Sequence, residues 1–256
     1  MIGAIIGDII GSRFEGIMDV KPNFKLFTDK SVFTDDTVMT VATMYAIMNK
    51  VDYGIAYHKF GNAFPQKGYG KGFIEWLKSE DPQPYDSWGN GSAMRVSPIS
   101  YAFNTMKEVL SEAKKSAKVT HNHEEGIKGA QAIALTIYLA RKNYSKQEIK
   151  EQILKKFNYN LKIGYGEIEK KFDCSCQGTV PPSLLCFFES IKFEDAIRKA
   201  VMLGGDTDTL ACMTGAIAEA FYGVPFDLTV KIMKILPQRL KTPVLSFYQK
   251  YIFGVK

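Results

Sequence analysis

Four carboxylates lie in two short clusters at opposite ends of this chain, Thr34-Asp35-Asp36-Thr37 and Asp206-Thr207-Asp208-Thr209, and each cluster runs at once into a helix-like segment. Like charges packed into tight turns repel one another, and capping a helix uses one Asp or Thr rather than a run of four such residues. Hard divalent cations of the magnesium and manganese type favour carboxylate, hydroxyl and water oxygens, so the two clusters read as halves of one cation site. Asp35 and Asp36 reach a common point only where the backbone turns, as it does just before a helix; in a straight strand they would point to opposite faces. Charge balance favours two ions over one, because a single ion would leave a strongly anionic pocket. The halves must meet in space, so one domain spanning residues 1–256 is expected.

The composition allows this. With 46% hydrophobic and 23% charged residues the chain has material for one large core. No run approaches the roughly 18 consecutive apolar residues of a membrane span. The apolar stretch Met1–Ile10 is broken by Asp8 and has no basic lead, so a soluble, unprocessed chain is expected, with no membrane partner. Four unevenly spaced cysteines make no disulfide framework and suggest a reducing, cytoplasmic setting. Cys174-x-Cys176 could begin a zinc site, but no second Cys/His pair follows at finger-like spacing. The net charge of +6 is spread along helical faces without a compact basic run, which argues against nucleic acid and tolerates an anionic ligand.

Periodicity is helical almost throughout. Val38, Val41, Tyr45 and Met48 mark one face, and Ile127, Ala130, Ala134, Ile137, Tyr138 and Arg141 another. Ser145 and Glu148 form a capping-box signature ahead of a face made by Ile149, Ile153, Leu154 and Phe157. Further helices are predicted near 52–63, 106–118, 193–203, 207–222 and 226–235. Alternating strands are absent, so the fold class is all-α. Gly3, Gly7 and Gly11 recur every four residues, and Ala211, Gly215 and Ala218 recur at four and three, stripping one face of two helices for close approach. The first set lacks the spacing of a dinucleotide fingerprint.

Two segments read as loops: Trp88–Arg95, and Gly164–Glu167 with the Cys174–Pro182 stretch beyond it. In the first, Gly89-Asn90-Gly91 lets backbone N–H groups converge on an anion, with Ser92 and Arg95 as added donors, although a plain turn ahead of a helix has the same composition. Of His121 and His123, one is expected to line the ligand pocket, with His121 as the candidate, and the other to cap the helix from Glu124. His58, beside Tyr57 and Phe60, reads as structural. The partner of an aromatic ligand is open, with Tyr165 and Phe172 as candidates, and Phe247, Tyr248 and Tyr251 are left open between core and interface.

Four stretches in order resemble the ADP-ribosylglycohydrolase family: Gly7–Glu15, Phe33–Thr37, Gly89–Arg95 with Val96–Pro98, and Gly204–Thr209, with Thr120–Glu124 as a weaker fifth. The resemblance implies a single compact multi-helix domain with a central dinuclear magnesium or manganese site. Thr34, Asp35 and Asp36 would bind one ion, Asp206 and Thr209 the other, and Asp208 would bridge. Gly89, Asn90, Gly91, Ser92, Met94 and Arg95, with His121, would hold ADP-ribose. The implied reaction is hydrolysis at the anomeric carbon of the distal ribose through an oxocarbenium-like transition state, with Asp35 or Glu15 taking a proton. The acceptor, whether arginine, serine or a small molecule, stays open, and a monomer is expected. The alternatives are a non-catalytic relative of the crystallin kind, which should have lost ligands that this chain keeps, and a dinuclear phosphohydrolase acting on nucleotides.

Overall fold

Fourteen α-helices and two short 3-10 turns make up the regular structure of residues 1–254, those described by the computed structural model, with one isolated antiparallel bridge between Gly89 and Ser175. In chain order the helices are α1 (Ile2–Gly11), α2 (Asp35–Asn49), α3 (Tyr53–Ala63), α4 (Lys71–Lys78), α5 (Gly91–Met94), α6 (Ile99–Ala102), α7 (Met106–Lys118), α8 (Glu124–Arg141), α9 (Lys146–Phe157), α10 (Cys176–Phe188), α11 (Phe193–Met202), α12 (Thr207–Tyr222), α13 (Phe226–Ile235) and α14 (Gln238–Tyr251). The chain is a single helical domain. Among the described residues no helix is long and apolar enough to cross a membrane.

The two small-residue stripes meet. Helices α1 and α12 run antiparallel at the centre, and every residue of α1 is buried. A Cβ added to Gly7 would sit 2.0 Å from the Ala211 carbonyl oxygen, and Gly3 and Gly11 face Gly215 and Thr207 as tightly. Only glycine lets the two backbones approach this closely. The antiparallel register sets the end of α1 beside the start of α12, where the Thr207 hydroxyl donates to the Gly11 carbonyl at 2.9 Å. Helices α2, α8, α10 and α11 pack around this pair.

Local signals hold the outer helices. Ser145 and Glu148 form the reciprocal capping box at the start of α9, and Thr105 with Glu108 forms a second at α7. Cys174–Pro182 is not a loop as the sequence suggested, because α10 starts at Cys176 and carries Pro181 and Pro182 inside it. The prolines leave the Gln177 and Gly178 carbonyls without their usual donors, and these belong to an exposed and a half-buried residue respectively. Trp88–Arg95 likewise contains the one-turn helix α5. Phe247 packs into the core, and the Tyr248 hydroxyl accepts from the Ile2 N–H at 3.0 Å and donates to Glu219.

Candidate metal centre and active site

Asp8 builds the floor of the site. It is a fully buried carboxylate in an otherwise apolar helix, and such a group persists only with partners. Its partners are the first turn of α2: the Thr34 N–H at 3.0 Å, the Thr34 hydroxyl at 2.7 Å, the Thr37 N–H at 3.0 Å and the Thr37 hydroxyl. The Thr34 side chain also accepts from the Asp36 N–H at 3.3 Å. Capping of α2 is therefore done by Thr34 and Asp8, which leaves Asp35 and Asp36 free for other work. At α12 the cap position is Asp206, whose side chain makes no capping bond and instead accepts from Asn90 Nδ2 at 2.7 Å. Aspartates at helix starts are commonly caps. Of these four only Asp208 meets a first-turn amide with its side chain, accepting from the Thr209 N–H at 3.0 Å.

The two clusters join across 173 positions of sequence, where the Thr209 hydroxyl donates to Asp36 Oδ2 at 3.2 Å. Asp36 Oδ1 is buried with no hydrogen-bond partner. A buried carboxylate oxygen without a donor is costly unless a cation meets it. Burial and neighbouring carboxylates push the whole set upward. Burial and the Asp208 charge raise Asp8 to about 7, and burial with the Asp206 charge raises Asp208 to about 8. Burial, then the Asp208 charge, holds Asp35 and Asp36 well above the carboxylate range. Asp206 is also raised by burial, partly offset by its hydrogen bonds. Among the described residues no three His, Cys, Asp or Glu side chains are gathered closely enough to hold an ion by themselves. The oxygens available are those of carboxylates and threonine hydroxyls together. An all-oxygen donor set with one orphaned buried oxygen and strong mutual repulsion fits hard divalent cations.

Above the floor opens a cavity of about 350 Å³ lined by Glu15, Asp35, Asp36, Asp206, Asp208 and Thr209 on one side and by Gly89, Asn90, Gly91, Met94, Arg95 and His121 on another. Thr34 stands behind the floor, turned to Asp8. Ser92 is not in the wall: it is fully buried, and its hydroxyl donates to the Gly126 carbonyl at 2.7 Å, tying α5 to α8. Arg95 is partly committed: its Nη2 donates to the Ser116 carbonyl at 3.0 Å and the Thr120 hydroxyl at 2.8 Å while its guanidinium lies over the Tyr57 ring, and its buried Nε has no protein partner among the described residues. His121 is buried, and burial with the Arg95 charge holds its imidazole well below the usual range, so it is neutral at pH 7. His123 caps α8, accepting from the Glu125 N–H at 3.1 Å. Tyr165 is remote from the cavity, its hydroxyl donating to the Lys199 carbonyl, whereas Phe172 stands exposed on the rim.

Glu15 is exposed at the mouth, where partial burial and the Asp208 charge raise its carboxyl. Its loop is fastened to the turn that delivers Asp206: the Gly16 N–H donates to the Gly205 carbonyl at 2.8 Å and the Gly205 N–H to the Ile17 carbonyl at 3.3 Å. Gly204 and Gly205 both have positive φ, which other residues adopt only with strain. Arg198 holds the loop further out, donating to the Pro22 and Phe24 carbonyls at 3.1 and 2.9 Å.

Sequence reasoning missed Asp8 as a site residue, and it missed the aromatic wall of Tyr69, Phe73 and Tyr85. A signal for Asp8 was present, since it is a lone charge in a stretch of nine apolar or glycine residues, Met1–Ile10. For the aromatic wall there was none among 17 Phe and 13 Tyr.

Comparison with known proteins finds relatives along most of the chain. The chain is 27% identical over 306 residues to ADP-ribosylhydrolase ARH3 of Bos taurus, covering 88% of this chain and 84% of that one. It is 25% identical over 261 residues to ADP-ribosylarginine hydrolase Tri1 of Pseudomonas putida (strain GB-1), covering 88% and 70%. A solved structure described as an ADP-ribosylglycohydrolase-related protein complex superposes with a TM-score of 0.76 at 21% identity, covering 98% of this chain and 97% of that one, which bears on the fold. The family model described as ADP-ribosylglycohydrolase matches residues 1–241. The chain belongs to the ADP-ribosylglycohydrolase family and is a hydrolase of that class.

Proposed function

We propose that this hydrolase cleaves the glycosidic bond between the distal ribose of ADP-ribose and an acceptor, with two divalent cations, magnesium or manganese, held by Thr34, Asp35, Asp36, Asp206, Asp208 and Thr209. The observation that carries the reading is the meeting of Asp36 and Thr209 on the floor of one cavity, with Asp36 Oδ1 left without a donor. When bound, the cations supply charge for the ribose hydroxyls and for activating water. The residues of the chain do the rest. Asn90 holds Asp206 in place, and Asp8 fixes the first turn of α2, so neither cluster has to reorganise during turnover. The glycine turn Gly89–Gly91 with Met94 forms the wall against which the diphosphate and ribose lie. Tyr69, Phe73 and Tyr85, the last beside His121, line the rest of the cavity with aromatic surface and keep bulk water from the reacting carbon.

Glu15 and Asp35 are the proton-transfer residues in this reading. Both line the cavity beside the floor carboxylates, and a carboxylate within reach of an activated water can take its proton. The transition state in this reading is oxocarbenium-like. The acceptor enters through the mouth beside Glu15 and Phe172. Its identity is tested together with the reaction. ADP-ribosyl-arginine and ADP-ribosyl-serine peptides are incubated with magnesium, with manganese and with chelator, and the nucleotide product is resolved. Metal-dependent release of free ADP-ribose from one peptide supports the proposal and names the acceptor. Release of AMP instead means pyrophosphate cleavage and a different enzyme.

A further inference from the structure

The buried polar chain behind the glycine turn has only one complete pattern of donors and acceptors. Thr120 is fully buried, and its hydroxyl oxygen lies 2.8 Å from Arg95 Nη2 and 2.7 Å from His121 Nδ1. Arginine can only donate, so one lone pair of the hydroxyl accepts from Nη2. If Nδ1 also carried a proton, the hydroxyl would accept twice and its own hydrogen would be buried without an acceptor. Buried polar groups are rarely left in that state. With the hydroxyl donating to Nδ1, Arg95 Nη2, the Thr120 hydroxyl and His121 Nδ1 are all satisfied, and the imidazole proton sits on Nε2. That nitrogen is on the cavity side: it lies 3.0 Å from where a Gly91 Cβ would be and 3.5 Å from where a Gly89 Cβ would be. Among the described residues no protein group meets it. The frame is rigid. The His121 N–H donates to the Ala117 carbonyl at 2.7 Å, the Tyr85 ring closes one side at 6.0 Å between centroids, and Arg95 is clamped by the Ser116 carbonyl and the Tyr57 ring.

We infer that Arg95 and Thr120 are positioning residues that lock His121 as the Nε2-protonated tautomer, presenting a neutral N–H donor to a diphosphate oxygen at the Gly89–Gly91 turn. The ligand half of this inference rests on the function proposed above; the tautomer half does not. It assigns to Arg95 a role unlike that of an anion clamp, since the guanidinium sets the imidazole rather than touching the ligand through Nη2. It also gives Gly91 a reason beyond backbone freedom, because a side chain there would press against the imidazole.

The test uses the magnesium-loaded protein, whose 3 histidines make nitrogen NMR of the side chains readable. In wild type, His121 is expected to show Nδ1 as the bare nitrogen and Nε2 as the protonated one, with Nε2 shifting when ADP-ribose is added. Thr120→Val is expected to lose the fixed tautomer and weaken ADP-ribose binding by roughly tenfold in calorimetry, while Thr120→Ser keeps both within about twofold. A protonated Nδ1 in the wild-type protein overturns the inference whatever the ligand, and so does a Thr120→Val protein that folds and keeps both tautomer and affinity. If ADP-ribose binds without moving Nε2, the assigned contact is wrong though the function stands. If ADP-ribose does not bind at all, the function proposed above fails and takes the ligand half with it, while the tautomer is still read directly.

Discussion

Replacing Gly7 with alanine tests how tight the centre of the fold is. The added methyl would lie 2.0 Å from the Ala211 carbonyl oxygen, 2.3 Å from its carbonyl carbon and 2.8 Å from the Cys212 nitrogen. All three are backbone atoms of α12, so no side chain can turn aside. The helices would have to separate by about 1.4 Å before the contact became an ordinary one. Overpacking a core typically costs about 1–3 kcal/mol, and a clash against backbone belongs at or above the top of that range. Alanine recovers some stability by its better helix propensity, on the order of 1 kcal/mol. A net loss of about 2–3 kcal/mol lowers the melting temperature by roughly 4–12 °C for a chain of this size. The separation also draws Asp206 and Asp208 away from Asp36, so activity should fall by more than the unfolded fraction explains. Gly166→Ala, with nothing within 4 Å of its Cβ, is the matched control. Thermal melts and turnover measured on both proteins decide the matter: a Gly7→Ala melt within a degree of wild type would refute the close-crossing argument.

Four further outcomes follow from the site. Asp208→Asn should abolish turnover while raising the melting temperature of metal-free protein above about pH 8, where Asp208 has lost its proton and its charge repels Asp8, Asp35 and Asp36; a drop in both would contradict the repulsion seen at the floor. Metal-free protein should lose stability as pH rises from about 7 to 8, since Asp8 and Asp208 hold protons in the folded state that they have already lost in the unfolded chain, and their contribution, full below about pH 4, is gone above about pH 8. His121 shifts the other way, but its unfolded form has largely titrated by pH 7, so melts at pH 7 and 8 with chelator and then with magnesium isolate the carboxylates, and an equal fall in both would refute the reading. Asp8→Asn should weaken manganese binding by at least tenfold, measured by calorimetry, because an amide whose oxygen keeps the Thr34 and Thr37 N–H bonds presents an NH2 where the carboxylate's Oδ1 accepts from the Thr34 hydroxyl at 2.7 Å. Arg198→Ala should raise KM more than it lowers kcat, by freeing the outer part of the Glu15 loop without touching the floor; unchanged steady-state kinetics would rule out a role for the loop in binding.

What the sequence made legible was what repeats or pairs locally. The helix starts at Ser145 and Thr207 and the glycine stripe of α1 show in spacing alone, and the structure uses each as expected, whereas α2 and α8 are buried on nearly all sides, so Tyr45, Met48, Ile127 and Tyr138 of their expected faces are only half-buried. The joining of the two acidic clusters also followed, because charge of one sign has few reasons to collect twice. What stayed hidden depended on partners far along the chain. Ser92 and Arg95 looked like ligand donors because their neighbours in sequence are glycines, but their actual partners, Gly126, Ser116 and Thr120, come from other helices and their flanks. The loop reading of Cys174–Pro182 failed for a different reason: two adjacent prolines argue against a helix interior, yet here the freed carbonyls belong to an exposed and a half-buried residue.

The central crossing also sets a schedule for synthesis. Helix α1, with Ile2, Ile5, Ile6, Ile9 and Ile10 on its surface, finds its main partner only when α12 has been made, some 196 positions later. At roughly 5–20 residues per second that interval lasts about 10–40 s, during which the most apolar segment of the chain has no permanent cover. The nascent polypeptide thus carries an uncovered apolar helix for that interval, and although Asp8 can engage Thr34 and Thr37 early, the two acidic clusters cannot meet before α12 has been made.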